Sequence, residues 1–193
     1  MKKVILASSS PRRKEMLNAL GIANEAIPAD IDETPRKGET TKVMVKRLSY
    51  EKAKKIAEQN PKRLVIASDT ALDFKGKILG KPRNKKHAKE ILQLLQGKKH
   101  LIYTGICLMQ GDKSLTAVEE TKVYFRPMTK KEIDWYVGTG EPMDKAGAYG
   151  IQAYGGLFVK KIEGSYSAVR GLPIEKLVDL LKKFGVWQQI MEP

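Results

Sequence analysis

The chain has 193 residues, 41% of them hydrophobic and 30% charged, which is typical of a soluble globular protein with one core or two small lobes. No apolar run approaches the roughly 18 residues of a membrane span, and no signal-peptide pattern is present. The single cysteine, Cys107, excludes a disulfide framework, so we expect a reduced, cytoplasmic location. The excess of 36 Lys and Arg over 22 Asp and Glu gives a net charge of +14, which fits a solvated basic surface as well as an acidic partner.

The predicted elements alternate between helices and strands along the chain. Strands are expected at residues 4–7, 24–29, 64–68, 100–110, 114–125 and 157–162, with a hairpin over residues 72–79. Helices are expected at residues 11–20, 39–59, 84–95, 129–137 and 173–184. Residues 138–156 are rich in glycine and resemble a loop, and no repeat or linker interrupts the chain. The pattern predicts an α/β fold on a mixed central sheet, with residues 1–193 as one domain.

The helix predicted at residues 11–20 has an unusual charge at its start. Ser10 is placed as the N-cap and Pro11 as the first helical residue, and Arg12, Arg13 and Lys14 follow in the first turn. This end of a helix already carries roughly half a positive charge, so acidic residues are expected there. We interpret the serine-rich turn and its arginines as a cradle for an anion such as a polyphosphate.

The side chains available for catalysis exclude several mechanisms. A serine nucleophile needs a base, but the two histidines, His87 and His100, are both expected at the surface. Zinc-protease, EF-hand, dinucleotide-binding and P-loop motifs are absent from the sequence. Catalysis would therefore rest on carboxylates, Lys and Arg side chains and a metal ion.

Asp69 is the first candidate carboxylate. It follows the apolar run "LVIAS" and is placed at the carboxyl end of a buried strand, where α/β proteins bind ligands, with the Thr70 hydroxyl beside it. A turn-capping role for Asp69 fits its position equally well. Asp30, Asp32 and Glu33 follow another predicted strand; they are exposed loop acids, or one of them joins Asp69 in holding Mg²⁺.

Lys52 interrupts the apolar face of its own helix. On a helical wheel, Val45, Leu48, Lys52 and Ile56 fall within an arc of roughly 80°. An ammonium group in that position either extends to solvent or meets an opposite charge, because its desolvation alone is unfavourable. We favour an inward lysine directed at an anion, and expect its replacement by Met to leave the fold stable.

Six segments in order along nearly the whole chain closely resemble the Maf family of nucleoside triphosphate pyrophosphatases, which is linked to septum formation. They are "LASSSPRR" (residues 6–13), "VKRLSYEKA" (45–53), "SDT" (68–70), "GKP" (80–82), "EPMDKAGAYGIQ" (141–152) and "GSYSAVRGLPI" (164–174). The resemblance implies an α/β fold with two lobes around a deep cleft, similar to inosine triphosphate pyrophosphatases. It also implies a hydrolase of phosphorus anhydrides that converts a nucleoside triphosphate into the monophosphate and pyrophosphate with a divalent cation, Mg²⁺ or Mn²⁺.

The family pattern assigns roles by position. The resemblance implies that Asp69 is the catalytic proton acceptor, that Lys52 is a polar residue of the cleft and that Glu33 is an acidic one. From these positions we predict that Lys52 acts in catalysis with Asp69, and that Glu33 and Asp69 hold the metal. The further residues that the resemblance places in the substrate-binding cleft are Ser8, Arg12, Arg13 and Lys81.

Three positions, Arg12, Thr70 and Gln152, match the subfamily that acts on dTTP and UTP rather than 7-methyl-GTP. Gln152 offers a donor and an acceptor to the edge of uracil or thymine, and Gly150 and Gly155 would let the backbone approach the ring. The alternative is that Gln152 only ties the glycine-rich loop together. Two positions depart from the family pattern: Ala153 stands where glycine is common, and Arg170 where an apolar residue is usual.

Two other classes of function remain open. A nucleic-acid-binding protein would use the same basic cleft, but only 7% of the residues are aromatic and few accompany the basic motifs. A regulator of septum formation acting through protein contacts would have no use for an inward lysine. We therefore predict a house-cleaning enzyme whose partner is a nucleoside triphosphate, with no membrane or nucleic-acid partner; a homodimer is compatible with this prediction.

Overall fold

The computed structural model describes residues 3–191, and within them the chain forms a seven-stranded mixed sheet. The strands are β1 (Val4–Leu6), β2 (Asn24–Ala26), β3 (Val65–Phe74), β4 (Lys77–Leu79), β5 (Lys99–Gln110), β6 (Lys113–Phe125) and β7 (Val159–Glu163). Their order is β2-β1-β3-β5-β6-β7, with β4 paired to the end of β3. The pairs of β1 with β2 and β3 are parallel and the others are antiparallel, so the predicted α/β fold on a mixed sheet is confirmed.

The five predicted helices are present, with ends within two residues of those expected. The helices are α1 (Pro11–Ala19), α2 (Thr41–Gln59), α3 (Lys85–Leu95), α4 (Lys130–Gly138), α5 (Tyr166–Val169), α6 (Ile174–Phe184) and α7 (Trp187–Met191). The short helices α5 and α7 were not predicted. Ser10 occupies the N-cap of α1, but its side chain makes no capping hydrogen bond. None of the helices described is both long and apolar enough to cross a membrane.

The strand predicted at residues 64–68 is too short, which changes the position of Asp69. β3 continues to Phe74 because β5 pairs with it without a break, from Val65 opposite Met109 to Asp73 opposite Leu101. Asp69 therefore lies in the middle of a strand, not at its carboxyl end. The predicted hairpin after it is confirmed: Lys75 and Gly76 both have positive φ and form the two-residue turn between β3 and β4.

The hydrophobic core is divided between two lobes that share the long strands. In one lobe, the carboxyl ends of β3 and β6 and the amino end of β5 pack with α3 and α4. This part of the core includes Leu72, Leu92 and Tyr136. In the other, β1, α1 and α6 pack on the opposite ends of the same strands, around Ile66 and Leu108 among others. A cleft of about 700 Å³ is lined by residues of both lobes, as predicted.

His100 is buried in the first of these lobes, so the expectation of a surface histidine is wrong for it. It is only 2% exposed, its Nε2 lies 2.9 Å from the hydroxyl of Tyr149, and its ring packs edge-on against Phe125. Burial lowers the pKa of His100 to about 3 from its ordinary 6.5. The other histidine, His87, is half-buried at the start of α3.

We expect His100 to make the protein less stable in mild acid. Between pH 6.5 and about 3 the unfolded chain binds a proton at His100 and the folded chain does not, so the free energy of unfolding falls with falling pH. From pH 7 to pH 5 this loss amounts to about 2 kcal/mol. Urea unfolding should show the loss in the wild type and a correspondingly smaller one in His100→Gln, which keeps a polar atom towards Tyr149. Equal losses in both proteins would contradict the assignment.

Candidate active site

The cleft opens at a gap in the sheet beside the middle of β3. One edge of β3 is covered by β5, whereas the other pairs with β1 at residues 65–66 and with β4 at residues 72–74. Within residues 3–191 no strand pairs with residues 67–71 along that second edge. Asp69 stands at the centre of this gap, with backbone on both sides held by the sheet. The arrangement places a carboxylate on a rigid element that faces an open cleft.

Helix α2 is held unusually close to the sheet opposite Asp69. Gly105 of β5 is the direct antiparallel partner of Asp69, and a Cβ at Gly105 would lie only 2.2 Å from the carbonyl oxygen of Val45 in α2. Directly opposite residues of an antiparallel pair project to the same face of the sheet, so Asp69 projects towards α2. This close approach brings the inward face of α2 onto the carboxylate.

Lys52 of α2 meets that carboxylate. Its Nζ donates to Oδ1 of Asp69 at 2.6 Å and lies 2.8 Å from Oε1 of Glu33. Lys52 is 8% exposed and Asp69 7% exposed, so this ion pair is shielded from water, whereas Glu33 is exposed. The prediction that Lys52 points inward to an opposite charge is confirmed. The partner is the protein's own pair of carboxylates.

Arg13 is a second cation near Asp69. Its guanidinium donates to the carbonyl oxygen of Gly171 (Nε, 2.8 Å), to Oγ of Ser8 (Nη1, 3.0 Å) and weakly to Oγ1 of Thr70 (Nη2, 3.4 Å). These partners are neutral, and no carboxylate of the described chain lies within 4 Å of it. Desolvation lowers the pKa of Arg13, an effect that the charge of Asp69 opposes. Its two remaining N–H groups are available to an anion.

Arg12 lies at the mouth of the cleft and reaches the other lobe. Its Nη1 is 3.6 Å from Oδ2 of Asp144, whose Oδ1 accepts a 2.6 Å hydrogen bond from Lys145. Asp144 is largely exposed, so the contact with Arg12 contributes little to stability and is easily exchanged for another anion. Lys81 is exposed on the cleft wall.

Gln152 is exposed on the cleft wall, and its side chain makes no hydrogen bond within residues 3–191. The alternative that it ties the glycine-rich loop together is therefore wrong. Glu141 does so instead: Oε1 accepts from the Tyr136 hydroxyl (2.9 Å) and the Gly155 amide (3.1 Å), and Oε2 accepts from the Tyr154 amide (3.0 Å). The sequence analysis assigned no role to Glu141, although this residue begins the motif "EPMDKAGAYGIQ".

The glycines beside Gln152 serve packing within the protein. A Cβ at Gly155 would lie 2.6 Å from the Tyr136 hydroxyl, and one at Gly150 would lie 2.6 Å from Cε of Lys145. The space next to both glycines is thus filled by the loop's own supports. Gly155 does not line the cleft, whereas Gly150 does, so the expected approach of the backbone to a planar ring stays a prediction for Gly150.

The donor set for a metal ion consists of two carboxylates. Among residues 3–191 there is no cluster of three or more His, Cys, Asp or Glu side chains suited to a metal. Asp69 and Glu33 converge on one point, the Lys52 ammonium, while the Asp32 carboxylate is exposed and accepts from the Thr34 amide at 2.9 Å. Mg²⁺ in nucleotide sites is commonly held by one or two carboxylates together with substrate phosphates. The residues present fit such a shared site.

All nine residues predicted for the site line this one cleft: Ser8, Arg12, Arg13, Glu33, Lys52, Asp69, Thr70, Lys81 and Gln152. Fold and cleft together define an α/β protein with a basic groove around a buried carboxylate–ammonium pair. The model of the Maf-like proteins matches residues 3–184, and the chain belongs to the Maf family.

Curated relatives align with almost the whole chain. A Bacillus anthracis protein named dTTP/UTP pyrophosphatase is 47% identical over 186 residues, which is 96% of this chain and 97% of the relative. A Bacillus cereus protein of the same name is 46% identical with the same coverage. Among solved structures, the Staphylococcus aureus Ham1 protein is similar over 64% of this chain and 72% of its own, at 16% identity and a TM-score of 0.47.

Proposed function

We propose that this protein hydrolyses dTTP and UTP, and modified uridine triphosphates, to the nucleoside monophosphate and pyrophosphate. The relatives named dTTP/UTP pyrophosphatase support the reaction class. The observation that carries the proposal is the buried Lys52–Asp69 pair at the open gap of β3, with the Arg13 guanidinium free of carboxylates beside it. A triphosphate supplies the negative charge that this group of cations lacks.

Three cations, Arg13, Arg12 and Lys81, each contribute to binding the phosphates. Arg13 offers two N–H groups and is held in place through Ser8 and Gly171, so it is oriented before the substrate arrives. Arg12 exchanges the exposed Asp144 carboxylate for a phosphate, and Lys81 adds a further charge from the cleft wall. The Ser8 hydroxyl also accepts the Ser10 amide at 3.2 Å and so shapes the turn before α1.

Asp69 takes the proton in the chemical step. Lys52 donates to its Oδ1, and Oδ2 accepts no hydrogen bond from the described residues, which leaves it to receive a proton from a water molecule. The water oxygen attacks the α-phosphorus, the bond from that phosphorus to the bridging oxygen breaks, and pyrophosphate leaves. Mg²⁺ or Mn²⁺, held by Asp69 and Glu33 when bound, would polarise the phosphate oxygens and make the water more acidic.

Gln152 selects the base. Its amide is exposed to the cleft and unpaired, and it presents a donor and an acceptor to the alternating carbonyl and N–H edge of uracil or thymine. Thr70 contacts Arg13 and, at 3.1 Å, the Thr104 hydroxyl, so it supports the phosphate-binding end of the site.

The proposal is tested by kcat/KM for dTTP, UTP, CTP, ATP, GTP and 7-methyl-GTP. We expect dTTP and UTP to be preferred, and Gln152→Ala to reduce that preference roughly 5- to 150-fold, which corresponds to about 1–3 kcal/mol for the lost pairing. Gln93→Ala, an exposed change on α3, is the matched control and should leave the ratios unchanged. A preference for 7-methyl-GTP, or an unaltered ratio in Gln152→Ala, would contradict the assignment of the base.

A further inference from the structure

Arg170 is a further cation of the cleft. It follows α5, lines the cleft and is half-buried. Its Nε is fully buried and has no hydrogen-bond partner, and its guanidinium forms no ion pair within 4 Å in the described part of the chain. A buried donor of this kind costs free energy until it finds an acceptor.

The backbone around Arg170 is held by three hydrogen bonds, two from the sheet and one from α1. The Ala168 carbonyl accepts from Thr104 Oγ1 (2.8 Å), and the Gly171 carbonyl accepts from Ser68 Oγ (2.9 Å) and from Arg13 Nε (2.8 Å). Residues on both sides of Arg170 are therefore clamped to β3 and β5. The clamp holds Arg170 at the same part of the cleft as Arg13.

The carboxylates of the cleft do not neutralise Arg170. Asp69 and Glu33 pair with Lys52, and Asp144 pairs with Arg12 and Lys145. Asp30 also lines the cleft, but it forms no ion pair with Arg170 within 4 Å. A neutral base could offer a carbonyl oxygen, but the charge of the guanidinium would stay uncompensated. Phosphate oxygens supply both the acceptors and the charge, and guanidinium groups match them with paired hydrogen bonds.

We propose that Arg170 is a further triphosphate-binding residue, which donates to a phosphate oxygen alongside Arg13. The inference rests on the proposed function in that its ligand is the triphosphate of the substrate. The binding step does not require hydrolysis, so it can be measured by itself with inorganic tripolyphosphate.

Calorimetric titration of the full chain with tripolyphosphate tests the proposal. We expect Arg170→Met to weaken binding roughly 10- to 100-fold, the scale of a lost charge-assisted hydrogen bond, and Arg170→Lys to weaken it less because the charge is kept. KM for dTTP and UTP should rise in parallel. Lys160→Met, which removes an exposed charge on β7 outside the cleft, should change neither quantity. Thermal unfolding should show that Arg170→Met folds, since it removes an unpaired cation.

The proposal would be overturned if the wild type did not bind tripolyphosphate, or if Arg170→Met bound it with unchanged affinity. It would also be overturned if Arg170→Met changed the base selectivity but not the affinity for tripolyphosphate, because Arg170 would then contact the base. The proposed function fails separately. If the wild type binds tripolyphosphate through Arg170 but releases no pyrophosphate from dTTP or UTP, the proposed role of Arg170 is supported and the proposed hydrolysis is contradicted.

Discussion

Asp69→Asn is expected to lower kcat for dTTP by about 10²–10⁴, the usual effect of losing a general base, while the protein stays folded. The amide cannot take a proton from water, but it fits the space of the carboxylate in β3. Lys52 keeps an opposite charge in Glu33, 2.8 Å away. Single-turnover kinetics with dTTP measure the chemical step, and thermal unfolding checks the fold.

The matched control for this change is Asp73→Asn. Asp73 lies on the same strand, but its carboxylate accepts from Thr41 Oγ1 (2.6 Å) and the Gly76 amide (2.8 Å) and does not line the cleft. We expect its removal to affect stability and to leave kcat close to that of the wild type. Near-wild-type turnover by Asp69→Asn would exclude Asp69 as the base.

Lys52→Met is expected to lower kcat/KM by about 10²-fold and also to destabilise the fold. The catalytic loss follows because a fixed charge beside the reacting phosphate is removed. The sequence alone favours a neutral effect on stability, since it suggests an isolated inward charge. The structure changes this expectation: Lys52 is paired with the buried Asp69, and removing one member of such a pair costs about 3–5 kcal/mol.

The double variant Lys52→Met/Asp69→Asn separates these effects. It removes both charges, so the free energy of unfolding should recover towards the wild type while activity stays lost. Lys54→Met, an exposed change two residues along α2, should leave stability and kcat/KM unaltered. Urea unfolding measures the free energy of unfolding of the wild type, Lys52→Met, Lys54→Met and the double variant. Full stability of Lys52→Met, with no gain in the double variant, would show that the pair is not a coupled buried ion pair.

Sequence reasoning succeeded where a single helix carries the information. The 3.6-residue period of α2 is enough to place Lys52 among Val45, Leu48 and Ile56, and the structure confirms this. Position along a strand is harder to predict, because β3 extends past Ser68 only through pairing with β5, which lies some 40 residues away in the chain. The gap that exposes Asp69 depends in addition on where β1 ends and β4 begins.

Contacts between distant segments explain the other errors and omissions. His100 lies in a strand next to lysines, and only its packing with Phe125 and Tyr149 shows that it is buried. The role of Glu141 depends on a loop that folds back over more than ten residues to reach its carboxylate. Nothing local in the sequence reveals that Arg170 lacks an acceptor, because this depends on where every neighbouring carboxylate is engaged.

The products of dTTP hydrolysis in ¹⁸O-labelled water show most directly which bond of the triphosphate is broken. Attack at the α-phosphorus predicts dTMP and pyrophosphate in equal amounts, with the label in dTMP. The separated products are identified by ion-exchange chromatography and mass spectrometry, with Asp69→Asn as the control for a contaminating activity. Release of dTDP and orthophosphate as the main products, or label in the pyrophosphate, would contradict attack at the α-phosphorus.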